Sequence, residues 1–215
     1  MNDSPDKPTV QHAVRTEPIQ QRSAQRIELL LDAAAELIDS NGIDTLTTSD
    51  VATRSGSSVG VVYRYFPNIQ SLLRALAARN MQRYTDHLFT ALASDSQEWR
   101  NALDAAIDTI VHMYRTQTGF RALRFGDVIT DRFLDPALSN NEVLARAVSG
   151  ILGEKYDFVP EDDLVFQLEV IIEIEDALIR RAFLFEREGD ERFITKAREI
   201  ARTYLQEQTH LPDAS

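Results

Sequence analysis

The 215-residue chain contains no cysteine, which excludes a disulfide scaffold, a thiolate metal site and a cysteine nucleophile together. Glycine (8) and proline (7) are sparse, too few for a collagen-like, mucin-like or wholly disordered chain. No repeat recurs at a period of roughly 20–50 residues. Long apolar runs are missing as well. The most apolar late stretch, Val170 to Ile179, is interrupted by Glu173, Glu175 and Asp176, so no membrane span is expected. The beginning, Met1-Asn2-Asp3-Ser4-Pro5-Asp6, is acidic and broken by proline where a secretory signal would be basic and then apolar, and the expected compartment is a reducing cytoplasm. After Tyr84 there is no Gly-x-Ser-x-Gly, no His-Glu-x-x-His and no glycine-rich phosphate loop, so neither an enzyme nor a cofactor is expected.

The most informative absence is local. From Val51 to Thr85 there is no Asp or Glu, where the chain's average would put about 5 or 6. The same stretch holds Arg54, Arg64, Arg74, Arg79 and Arg83. The overall net charge of -11 argues against binding a polyanion, but the excess lies C-terminally: residues 1–79 hold 8 basic and 9 acidic side chains, residues 80–215 hold 15 and 25. A locally positive surface on an acidic protein suits a small DNA-reading module joined to a body with another task.

What is present is an ordinary globular composition, 43% hydrophobic and 27% charged, long enough for one domain or two small ones with a substantial core. Residues 1–21 carry Pro5, Pro8 and Pro18 with little apolar periodicity and read as a disordered arm, although Arg15, Arg22 and Arg26 could still reach a phosphate. Ile27, Leu30, Leu31, Ala34, Leu37 and Ile38 recur at helical spacing from Ser23 to Asn41, with Gly42 as the stop. Thr47-Thr48-Ser49-Asp50 is a capping pattern opening a short helix to Ser55, and Gly56 ends it. A third short helix runs from Ser57 or Ser58 to Phe66 and is closed by Pro67. Further helices are predicted at Ile69 to Ala93, Trp99 to Thr116, Phe120 to Val128, Leu138 to Leu152, Asp163 to Glu188 and Asp190 to Gln208, with a break at Asp135-Pro136 and a loop over Gly153 to Pro160. No segment alternates strictly. The predicted fold is all-α: a helix-turn-helix domain over 22–68, a helical body over 69–208 and a tail over 209–215.

The second and third helices match the plan in which the second of two helices enters a major groove. A wheel centred on Val62 turns Ser58, Val59, Tyr65 and Phe66 inward and Ser57, Gly60, Val61, Tyr63 and Arg64 outward. The outward set holds no acid and offers hydroxyls for phosphate and an Arg for phosphate or a guanine edge. Gly60 costs about 1 kcal/mol against Ala inside a helix, a cost understandable where the backbone must approach the bases closely.

Thr47 to Ala52 followed by Ser55-Gly56-Ser57-Ser58-Val59-Gly60-Val61-Val62-Tyr63-Arg64-Tyr65-Phe66-Pro67-Asn68 resembles the N-terminal signature of the tetracycline-repressor (TetR) family of bacterial regulators, over about residues 23–72. The resemblance implies an all-α homodimer whose N-terminal domain binds a palindromic double-stranded DNA operator and whose C-terminal domain binds a small-molecule effector and releases the DNA. It implies DNA contacts at Thr48, Ser58, Val59, Gly60, Val61, Tyr63 and Arg64, with Val62, Tyr65 and Phe66 structural; the outward face of the wheel adds Ser57 as a candidate contact. Two positions depart from the pattern: Ile69 stands where a Lys is common, and Val59 where a polar or basic residue is common. The second departure suggests apolar readout, such as contact with a thymine methyl.

In the body, Tyr84, His87, Leu88, Ile107, Val111, Tyr114, Phe120, Leu123, Phe166, Val170 and Glu173 are candidate pocket residues, and an acid from Glu173 or Glu175 pointing inward would favour a cationic ligand. The number of apolar and aromatic members suggests a small apolar or aromatic effector. Leu168, Ile172, Leu178, Ala182, Phe193, Ala197, Ile200 and Tyr204 form stripes wide enough to pair with a second copy or to serve as monomer core. Asp104, Asp108 and His112, spaced i, i+4, i+8, could hold a metal or be a solvated flank, and the flank is the favoured reading. The predicted function is a ligand-responsive transcriptional repressor. A DNA-binding organiser or activator without a small effector, and a helical enzyme with a DNA-binding appendage, are the alternative classes.

Overall fold

A computed structural model describes residues 16–93, 98–121, 137–156 and 162–209. Among these residues the chain forms eight α-helices and one 3-10 turn, with no strand. Two compact units divide between Leu73 and Arg74.

The first unit contains α1 (Thr16–Asn41), the 3-10 turn Ile43–Thr45, α2 (Thr48–Arg54) and α3 (Val59–Tyr65). The backbone of α1 begins inside the stretch expected to be an arm. Pro18 falls in its first turn, where the missing N–H would have had no intrahelical partner. Residues 1–15 and 210–215, the rest of the expected arm and the tail, lie outside the described residues. Thr47 opens α2: its Oγ1 accepts from the Asp50 N–H at 3.1 Å and donates to the Asp50 carboxylate at 2.6 Å, satisfying an otherwise orphaned amide. Gly56 turns the chain with φ +62, a left-handed conformation that β-carbon-bearing residues rarely adopt. Ser58 then caps α3 by accepting from the Val61 N–H at 3.3 Å. The helices hold together through buried Leu30, Ala34 and Ile38 of α1, Val51 and Ala52 of α2, and Val62 and Phe66, with α2 packed on both α1 and α3. Asn68 opens α4 (Ile69–Leu92) by accepting from the Ser71 N–H at 2.8 Å.

The second unit holds most of α4 with α5 (Trp99–Thr116), α6 (Asn140–Tyr156), α7 (Asp162–Phe183) and α8 (Glu191–Thr209). The short α7–α8 connection makes those two helices antiparallel neighbours, and α6 packs on α7 while α5 packs on both α7 and α8. Their core includes Leu103, Ile107, Leu168, Ile179, Ala197 and Leu205. Tyr114 stacks on Phe183 with ring centroids 4.8 Å apart and meets Phe120 edge-on at 5.3 Å.

Two predicted boundaries shift. The loop expected from Gly153 is helical as far as Tyr156, because buried Leu152 and a hydrogen bond from Lys155 Nζ to the Leu92 carbonyl at 2.8 Å tie that last turn down. The helix expected to reach Glu188 ends at Phe183. There the chain reverses so that the Asp190 N–H reaches the Ala182 carbonyl at 3.0 Å, with Gly189 at φ +85 packed close against Phe183 and Ile194. Of the helix expected over Phe120 to Val128, Phe120 sits in a turn after α5. Leu123 to Val128 and the break at Asp135-Pro136 lie outside the described residues.

Candidate functional site

The N-terminal unit presents α3 as a two-turn helix with one covered side. Val62 and Phe66, one turn apart, are the buried pair, so the packed surface is confined to the C-terminal turn. Val59, expected inward on the wheel, is 40% exposed: it belongs to the first turn, which the core of so short a helix does not cover. It joins Ser58, Gly60, Tyr63 (51% exposed) and Arg64 on the outer face, while Ser57, Val61 and Tyr65 are half-buried.

Hydrogen bonds arrange this face. Thr48, first residue of α2, donates through Oγ1 to the Tyr63 hydroxyl at 3.3 Å, bringing two of the predicted DNA-contacting residues together and fixing the Tyr63 ring while its hydroxyl can still donate. Arg26 of α1 donates through Nη1 to Ser57 Oγ at 3.3 Å, placing a cation beside the turn before α3. Arg54 is engaged by Glu36 at 2.6 Å and is therefore less available to a phosphate than its place in the acid-free stretch suggests. At Gly60 an added Cβ would meet only Ser58 Oγ, at 3.9 Å. Among the described residues no packing contact requires glycine there, and the centre of the face is left clear. An exposed, acid-free helix face with hydroxyls, an aromatic ring and an arginine, cleared at its centre, is shaped to lie against nucleic acid.

Comparison with known families supports the same conclusion over both units. The model of bacterial regulatory proteins of the tetR family matches residues 30–76, and the model of the tetracyclin repressor-like C-terminal domain matches residues 97–209, more than half of the chain. The chain belongs to the TetR family. A crystal structure of a TetR-family transcriptional regulator from Streptomyces coelicolor aligns with a TM-score of 0.69 and 34% identity over 85% of this chain and 98% of that one. An uncharacterised helix-turn-helix-type transcriptional regulator of Bacillus subtilis is 30% identical over 87 residues, 40% of this chain and 44% of that protein. The class D tetracycline repressor protein of Escherichia coli is 34% identical over 76 residues, 35% and 34% of the two chains. The chain thus matches less than half the length of these two curated relatives. TetR-family proteins are DNA-binding transcriptional regulators, not enzymes, and the match at residues 30–76 takes in the C-terminal part of α1 with α2 and α3.

In this TetR-family chain the predicted pocket residues separate into groups. Leu88, Ile107, Val111, Tyr114 and Phe120 are buried in the core of the C-terminal unit, with Tyr84 and Val170 half-buried. Phe166 is 58% exposed and does not wall a cavity within one chain; it lies on the solvent side of α7, which the apolar stripe of that helix did not reveal. Glu173 is exposed and accepts from Asn141 Nδ2 at 2.7 Å, so it points outward. His87 and His112 are exposed, with ring centroids 6.1 Å apart. Leu123 lies outside the described residues. Of the predicted interface residues, Leu168, Ala182 and Ala197 are buried within one chain and are unavailable to a partner, whereas Ile172, Leu178, Phe193, Ile200 and Tyr204 are half-buried. A wheel cannot divide one apolar face between core and interface. The acids once weighed as a metal site are taken by α8: Arg202 pairs with Asp104, and Arg198 donates to Asp108 at 2.5 Å. Among the described residues no three metal-ligating side chains converge, and no helix is long and apolar enough to cross a membrane.

Sequence reasoning missed Asn80, and it named Glu173 and Glu175 together without separating them. Asn80 is fully buried on α4 and its Nδ2 has no hydrogen-bond partner. It falls among buried Leu72, Leu73, Leu76 and Leu88 along the same helix, and a polar residue at that spacing is the signal that could have found it. Glu175 is half-buried and accepts no hydrogen bond among the described residues. Burial pushes its carboxyl up to about 8, with Arg198 opposing and Asp104 adding to the shift. Tyr84 is pushed above its ordinary range by burial and then by the charges of Glu175 and Asp176.

Proposed function

We propose that this protein is a ligand-responsive repressor that binds a palindromic operator as a homodimer and is released by a small effector held in its C-terminal unit. The observation that carries the reading is the outer face of α3, where Val59, Gly60, Tyr63 and Arg64 stand free of acids and Gly60 has open space above it. A single seven-residue helix reads too few base pairs for useful specificity, and two copies placed about one DNA turn apart supply the rest. Support for pairing comes from Ile172, Leu178, Phe193, Ile200 and Tyr204, half-buried in one chain, and from a surface groove of ≈ 320 Å³ along α8 lined by Lys196, Glu199, Ile200, Thr203, Tyr204 and Glu207. The apolar and aromatic cluster of Ile107, Val111, Tyr114 and Phe120 supports a small apolar or aromatic effector. Such an effector acts by favouring a conformer whose recognition helices are wrongly spaced, to the extent of its differential affinity for the two states.

The test is selection from a randomised duplex pool at fixed salt, with wild type compared with Tyr63→Ala plus Arg64→Ala. Enrichment of a palindrome by wild type alone, bound at two chains per site in sedimentation, is the expected result. Enrichment of a non-palindromic sequence at one chain per site defeats the dimeric reading. The selected duplex then serves as the probe in an effector screen, where release separates a repressor of this kind from a DNA organiser.

A further inference from the structure

Two polar groups in the C-terminal unit are placed as if for something other than the protein. Asn80 is 1% exposed, and its Nδ2 donates to nothing; an orphaned buried amide of this kind costs about 1–3 kcal/mol. It stands one helical turn before Tyr84, so the two side chains share a face of α4. Tyr84 in turn lies within the electrostatic reach of Glu175 on α7. Glu175 feels the charge of Arg198 but makes no hydrogen bond or ion pair of its own among the described residues. Arg198 is bonded to Asp108 at 2.5 Å and to the Asp104 carbonyl at 3.2 Å, and Arg202 donates through Nε to Asp104 at 3.0 Å. Glu173, two residues earlier on the same helix, is exposed and satisfied by Asn141, whereas Glu175 is half-buried.

We propose that Asn80, Tyr84 and Glu175 form the polar end of the effector site, and that the effector is a small organic molecule carrying a protonated amine for Glu175 and a hydroxyl or carbonyl oxygen for Asn80 on an apolar or aromatic body. This rests on the reading that the C-terminal unit binds an effector. The amine supplies the direct ion pair that Arg198 and Arg202, bonded to Asp108 and Asp104, do not make, and the oxygen accepts the orphaned Asn80 N–H. Because burial holds the Glu175 carboxyl up at about 8, much of it is protonated at pH 7. Pairing with an ammonium favours the carboxylate, so binding releases protons.

The test uses matched probes on the full chain: tyramine and phenethylamine as amines, tyrosol and 2-phenylethanol as their neutral isosteres. Thermal shift and calorimetry at pH 7 in two buffers of different ionisation enthalpy read affinity and proton release. The expected result is that tyramine binds at least tenfold tighter than tyrosol, with net proton release. Glu175→Gln then abolishes that preference, while Asn80→Leu weakens tyramine more than phenethylamine. Equal binding of amines and neutral isosteres, unaffected by Glu175→Gln, overturns the amine site and leaves an apolar effector standing. No binding by either set to a correctly folded chain that still selects its operator overturns both.

Discussion

Gly60→Ala separates what the fold asks of α3 from what the DNA asks of it. The residue is second in the helix, and an added Cβ would find only Ser58 Oγ at 3.9 Å, so the methyl enters without displacing any atom. Replacing glycine by alanine in a helix stabilises by about 0.5–1 kcal/mol, chiefly through the entropy of the unfolded chain. For a chain of this size that is a rise of about 1–4 °C in Tm. On DNA the sign reverses. A methyl on the outer face, between Tyr63 and the Ser58 cap, separates the helix from the groove and disturbs at least one base contact, each worth about 1–3 kcal/mol. The variant should therefore unfold at a higher temperature and bind the selected duplex about 5- to 150-fold more weakly, read by calorimetry and by fluorescence anisotropy at one salt concentration. A lower Tm would show that the helix needs glycine for its own geometry. An unchanged affinity would show that this face does not meet DNA at Gly60, and the assignment of α3 would fall with it.

Three further outcomes follow from other contacts. Gly189→Ala combines a left-handed backbone with a Cβ only 2.8 Å from Phe183 Cζ and 3.0 Å from Ile194 Cδ1; it should cost about 2–4 kcal/mol in urea unfolding, and a loss under about 0.5 kcal/mol would contradict the packing of the α7–α8 turn. Arg64→Ala should weaken binding to all duplexes alike and lower the slope of log K against log salt by about 1 if Arg64 holds a phosphate; an unchanged slope with relaxed sequence preference would place it on a base edge instead. Glu175, with its carboxyl raised from 4.5 to about 8, keeps in the folded state a proton that the unfolded chain gives up between those values, so wild-type stability should fall as pH rises from about 4.5 to 8. Glu175→Gln should match wild type near pH 4.5 and exceed it by pH 8.5 in urea midpoints, and parallel curves would refute the assignment.

Much of this molecule is legible from sequence because its signals are local. The capping pattern at Thr47 to Asp50, the turn at Gly56, the Ser58 cap and the stop at Pro67 each act within a few residues, through hydrogen bonds and backbone sterics that need no distant partner. They sufficed to set out α2 and α3, and the acid-free stretch from Val51 to Thr85 leaves the outer face of α3 without a carboxylate of its own. Periodicity likewise found α4, α5 and α8 to within a residue or two. What it could not do was divide an apolar face among destinations. Leu168 and Ile172 sit on one stripe of α7, yet one is core and the other half-open, because the difference lies in which neighbour arrives from α6 and α8. Val59 on the wheel faced inward, yet the covering surface stops one turn short of it. Tertiary structure alone decided that Arg198 and Arg202 go to Asp108 and Asp104, that Glu173 turns out to Asn141, and that, among the described residues, Asn80 Nδ2 and the Glu175 carboxyl make no hydrogen bond. Each outcome depends on the distances between side chains remote in sequence, and burial and electrostatic pairing are properties of those distances.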